Sequence, residues 1–78
     1  MLVQFSMWTF DDPHLREEMR TIRDALNSRS IEFTMDRVST TIEGDWPVVI
    51  AAIEACHQAL RKKHKRVLIN ITIDDDDA

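Results

Sequence analysis

The apolar residues of this chain repeat at two spacings, and the order in which those spacings alternate leaves few folds open. Val3, Phe5 and Met7 alternate with Gln4, Ser6 and Trp8, the period of a strand with one covered face, and strand character extends from Val3 to Phe10. Leu15, Met19, Ile22 and Leu26 then recur at steps of four, three and four, the stripe of a helix whose inner side meets a core. Asp12 is placed to cap that helix and Pro13 to occupy its first turn. Two short alternating runs follow, Ile31, Phe33 and Met35, then Val38, Thr40 and Ile42. The Asp36-Arg37 junction between them lacks the Gly or Asn-Gly of a tight hairpin, so the pairing is read from spacing. Beyond Gly44, with Asp45 as cap, Val49, Ile53, Cys56 and Leu60 form a second helical stripe. Val67, Ile69, Ile71 and Ile73 alternate with Leu68, Asn70 and Thr72 as a last strand.

The order is βαββαβ. A chain of 78 residues has no material for a further layer, so the compact solution is an α+β sandwich: a four-stranded antiparallel sheet with two helices on one face, the ferredoxin-like arrangement. Right-handed crossovers place the first and last strands side by side within it. The expectation is one domain over residues 1–78, with an acidic C-terminal end at 74–78.

Charge narrows the functional classes. The net charge is -4, but Asp74 to Asp77 account for it, and the remaining acids balance the ten Lys and Arg. The basic group Arg61, Lys62, Lys63, Lys65 and Arg66 falls where a helix ends, a place the helix dipole favours for cations, and gives no reason to expect a nucleic-acid partner. The single Cys56 excludes an internal disulfide, and scattered histidines offer no zinc cluster, so no metal site is expected. Neither a signal-peptide pattern nor an apolar run of membrane length is present; the expectation is a soluble cytoplasmic protein without a membrane partner. Cys56 and His57 are adjacent on a helix and diverge by about 100 degrees, which argues against a nucleophile and base and against an enzyme.

The alternation also sorts residues between sheet faces. The face turned away from the helices receives Gln4, Ser6, Trp8, Thr34, Ser39, Thr41, Glu43, Leu68, Asn70 and Thr72. Small hydroxyls and amides dominate where a solvated sheet usually carries charge. Such a face meets water, or is partly buried against another copy, which would also supply walls for a ligand that so small a chain cannot enclose. Trp8 reads as an interface aromatic or a stacking platform, and Glu43 as strand-end polarity or a carboxylate for a cationic or amine-bearing heterocycle, with Ser6, Thr41 and Asn70 as hydrogen-bonding partners. The face carries Trp8 without the second aromatic and the basic surround that an RNA platform needs.

"TTIEGDW" at Thr40 to Trp46, His57 in the following helix and "RVLINITIDD" at Arg66 to Asp75 resemble the small thiamine-binding protein family of ferredoxin-like proteins. The resemblance implies thiamine or a related pyrimidine as a bound ligand, no catalysis, no other cofactor, and self-association into dimers or tetramers through sheet faces and edges. Its matching positions are Thr40, Glu43, Gly44, His57, Arg66, Asp74 and Asp75, which adds Thr40 to the candidate ligand set of Glu43, Trp8, Thr41, Ser6 and Asn70. The chain departs from the family pattern at Ser39, at Lys63 to Lys65, and at Asp76, where an arginine is usual. The alternative expectation is a structural or regulatory homo-oligomer without a small ligand.

Overall fold

The computed structural model describes residues 1–10 and 15–76, with the side chain of Leu15 left out. The elements follow in the expected order: β1 (Leu2–Thr9), α1 (Leu15–Ser28), β2 (Thr34–Met35), β3 (Thr40–Glu43), α2 (Trp46–Arg61) and β4 (Val67–Asp74). The expected roles of Asp12 and Pro13 at the start of α1, and the last two residues of the acidic end, lie outside the described residues. The strands form one antiparallel sheet in the order β2-β3-β1-β4, so the first and last strands of the sequence are neighbours. Among the described residues no helix is long and apolar enough to cross a membrane.

One side of the sheet is sealed by the helices. Val3, Phe5 and Ile42 interlock with Ile22 and Leu26 of α1 and Val49, Ala52, Ile53, Cys56 and Leu60 of α2 in a single buried cluster. Burying a large apolar side chain of this kind contributes about 1.5–3 kcal/mol, and the cluster is what sets which side of each strand faces inward. In α2, Ala55 and Ala59 lie with Thr21 and Ala25 of α1 along the seam between the helices, where small residues allow close approach.

The middle strands are shorter than the alternation suggests. Val38 is not in a strand; it is 72% exposed, because Asp36 builds a turn in its place. Asp36 N donates to Ser39 O at 3.0 Å, and Asp36 Oδ1 accepts from Val38 N at 2.8 Å and Ser39 N at 2.9 Å. An aspartate closing its own turn replaces the missing glycine signal. The N–H groups of Val38 and Ser39 hold its carboxyl below the usual carboxylate range. At the far edge Ile71 and Ile73 face the helix side, opposite Phe5 and Val3, but remain 43% and 40% exposed because β4 has no neighbour beyond it. Asp45 stands at the N-cap of α2 with extended backbone but makes no side-chain cap bond.

The end of α1 is closed by two backbone bonds, Ser30 N to Asn27 O at 3.0 Å and Ile31 N to Leu26 O at 3.1 Å. This is the Schellman pattern, and Ser30 holds its left-handed position with φ of 55°. A side chain there costs about 1 kcal/mol that glycine avoids. Ser30→Gly should therefore raise unfolding stability by up to about 1 kcal/mol, seen as a higher urea midpoint with unchanged slope.

Candidate functional site

The sheet face that the helices leave uncovered has a floor of hydroxyls and amides. Antiparallel pairing puts directly opposed residues on the same side, so its composition follows from the register. Gln4 lies between Thr41 and Thr72, Ser6 is opposite Asn70, Trp8 is opposite Leu68, and Thr34 is opposite Thr41. Gln4 Nε2 donates to Ser39 Oγ at 2.9 Å and Ser6 Oγ donates to the Val38 carbonyl at 2.6 Å, which ties β1 to the turn after β2. The Ser6 hydroxyl is thereby committed as a donor and offers a ligand its acceptor side.

The two ends of this floor differ in chemistry. At one end Leu2, 45% exposed, is flanked by Glu43 of β3 and Asp74 of β4. Glu43 thus has a second carboxylate on its own face, two strand spacings or roughly 10 Å away, which in the sequence is hidden within the acidic end. At the other end Trp8 is 43% exposed beside Leu68. Phe10, half exposed, follows just beyond β1, and the Arg66 guanidinium carbon stands 4.4 Å from its ring centroid, a cation-π contact. Phe10 continues the alternation of β1 one step past Trp8, outside the paired strand.

The candidate residues are therefore not all brought together. Thr41, Ser6 and Asn70 form the floor, but Glu43 and Trp8 stand at opposite ends of it, six residues apart along β1, roughly 20 Å at about 3.3 Å per residue. No small heterocycle spans that distance within one chain. Thr40 is turned the other way: it is 3% exposed, opposite Phe5 on the helix side, and lines a recess of about 30 Å³ with Glu18 and Met19. Room for a water or two excludes a heterocycle there.

The helix layer holds the remaining residues of interest. Cys56 is fully buried; its thiol donates to the Ile22 carbonyl at 3.9 Å, and burial pushes its pKa up to about 12 despite the nearby Arg29. A thiol so protonated is a core residue, not a nucleophile. His57 is half-buried on α2, in the layer opposite the open face. Among the described residues no three His, Cys, Asp or Glu side chains converge to hold a metal ion.

The family model described as thiamine-binding protein matches residues 3–78. The chain belongs to that family. A UPF0045 protein of Synechocystis is 46% identical over 35 residues, a stretch covering 45% of this chain and only 29% of that protein's length. Among solved structures, a hypothetical protein of Methanocaldococcus jannascii superposes with a TM-score of 0.84 at 14% identity, over 96% of this chain and 78% of the other. A Thermotoga maritima protein assigned provisionally to thiamine biosynthesis or salvage gives 0.72 at 19% identity, over 97% and 85%. At such identities these structures speak for the fold alone.

In this thiamine-binding family member the Glu-Gly step at the rim has a structural explanation. Gly44 N donates to Met1 O and Met1 N to Gly44 O, both at 3.0 Å, adding one rung to the β1-β3 ladder below Glu43. Its backbone angle is ordinary, so conformational freedom is not why glycine stands here. The reason is space: a Cβ would come within 2.9 Å of Val48 Cγ1 and 3.0 Å of Val48 Cβ. Gly44→Ala should cost about 1–3 kcal/mol, and adding Val48→Ala, at a 40% exposed site, should recover part of the loss in a denaturant double-mutant cycle.

Proposed function

We propose that this chain is a non-catalytic binder of thiamine or a related pyrimidine or cationic heterocycle, working as a homo-oligomer. The observation that carries the reading is the division of the open face into a carboxylate rim, Glu43 and Asp74 around Leu2, and an aromatic end, Trp8 and Phe10, joined by a neutral hydrogen-bonding floor. Thiamine joins a cationic thiazolium to an aminopyrimidine. The rim complements the cation, an aromatic ring complements either heterocycle, and Thr41, Ser6 and Asn70 complement ring nitrogens and the amine.

The distance between Glu43 and Trp8 supports an assembly. Two copies stacked open face to open face about a two-fold axis bring the Trp8 end of one over the Glu43 end of the other, so each site draws its carboxylates and its aromatic from different chains. Family membership supports the ligand class, and the exclusion of Thr40 from this face leaves Glu43, Trp8, Thr41, Ser6 and Asn70 as the proposed contacts. Calorimetric titration with thiamine should give saturable binding. Glu43→Gln should weaken it roughly tenfold or more, the worth of one charge-assisted contact, and Trp8→Ala should weaken binding and face pairing together. Absence of saturation at millimolar thiamine would sink the ligand assignment.

The second reading, an oligomer that binds no small molecule, is favoured by the free edge of β4. That strand is eight residues long, contains no proline and no lysine, and leaves Ile71 and Ile73 exposed. Natural edges that stay unpaired are usually blunted by such residues. Ile71→Lys should reduce the mass seen by light scattering without changing the far-UV circular dichroism. If it abolishes assembly while the parent chain ignores thiamine, the structural reading stands alone.

A further inference from the structure

Arg16, Arg20, Arg23 and Arg37 line one recess of about 390 Å³, together with Met19. The first three recur at steps of four and three along α1, whose Thr21, Ala25 and Ser28 lie on the flank beside α2. Arg37 is contributed by the turn between β2 and β3. The recess therefore lies where the flank of α1 meets the β2-β3 turn, the turn whose Val38 and Ser39 hold Ser6 and Gln4 of the open face.

Ordinary explanations for surface arginines do not fit this group. Cations stabilise a helix near its C-terminus, yet the last turn of α1 has no basic residue and Arg16 lies in the first turn, where the dipole opposes it. The ion pair that Glu17 of α1 makes is with Lys63 and takes in none of the four. Of the acids close in sequence, Glu18 is buried and lines the small recess that also takes in Met19 and Arg37. Glu17 meets Lys63 at 3.3 Å on the α2 side, where Asp24 also lies, and the recess they border is reached by Arg16 and Arg20 as well. Asp36, next to Arg37, spends Oδ1 on its own turn.

We infer that this recess is an anion site for a compact phosphate-bearing molecule, a diphosphate or phosphate ester. Planar guanidinium forks match phosphate oxygens two at a time, and forks from two elements set at an angle enclose a small polyanion better than a flat stripe would. The positive end of α1 adds to the field. The net charge of -4 argues for a small ligand: a nucleic acid or an anionic membrane would be repelled by the rest of the molecule, while a compact anion feels only the groups within a Debye length of roughly 8–10 Å, where four arginines line the recess.

The test uses the whole chain and inorganic pyrophosphate, titrated at constant ionic strength against phosphate, sulfate and a short DNA duplex. Pyrophosphate should bind saturably, one per chain, more tightly than sulfate. Arg20→Gln and Arg37→Gln should each weaken it about tenfold or more, while Arg61→Gln, at the end of α2, should leave it unchanged. Arg37→Lys should fall between, since it keeps charge but not the fork. Circular dichroism confirms that the variants fold, and a rise in the parent's melting temperature with pyrophosphate gives a readout that needs no variant. Binding no tighter than sulfate, equal loss in all three Gln variants, or binding confined to DNA would overturn the assignment.

Discussion

Everything in this molecule depends on β1 being paired on both sides. Val3 and Phe5 are held in register against Ile42 and Thr40 on one flank and Ile73 and Ile71 on the other, with their side chains sealed beneath the helices. Because strand side chains alternate, that commitment dictates the opposite face as well. A slip by one residue would send Gln4 and Ser6 into the core and Val3 and Phe5 to water, an exchange costing several burial terms at once. The functional face is thus specified by the core behind it. Leu2, Gln4, Ser6 and Trp8 hold their positions because their odd-numbered neighbours cannot be anywhere else.

The same coupling explains the chemistry of that face. Its floor is neutral, with charge confined to the rim and to Arg66, so a ligand or second copy that covers it need not strip water from many ionised groups, the most expensive part of burying a polar surface. Hydroxyl and amide side chains can exchange water for partner groups at modest cost. Ser6 and Gln4 are held by the turn residues Val38 and Ser39, so ordering them on binding is partly done in advance. The arginine recess has the opposite character, concentrated charge over a small area, and is built from α1 and the β2-β3 turn.

Much of this was legible in the sequence, and the limits are instructive. Element order, the pairing of first and last strands, the two sheet faces and the buried state of Cys56 follow from period and from turn residues, because those signals reflect the core directly. Val38 misled because alternation cannot tell a short strand from a turn that an aspartate closes with its own carboxylate. Ile71 and Ile73 alternate like covered residues yet stay partly exposed, because alternation gives a direction but not the width of the layer above, and β4 is the edge strand. Thr40 entered the candidate set through family resemblance, although its own alternation already put it beside Phe5. The separation of Glu43 from Trp8, and the companionship of Glu43 and Asp74, depend on register between distant strands, which no local pattern contains. The arginine recess combines a helix flank with a turn and was invisible for the same reason.

Both tryptophans lie at the surface, Trp8 on the open sheet face and Trp46 at the first residue of α2, and neither belongs to the core. Indole emission responds to the water around the ring, and here the rings are half wet before unfolding begins. Intrinsic fluorescence will be a poor gauge of whether the chain is folded and a sensitive gauge of what settles on it. Trp8 in particular is an optical label placed by the sequence itself on the surface whose occupancy is in question.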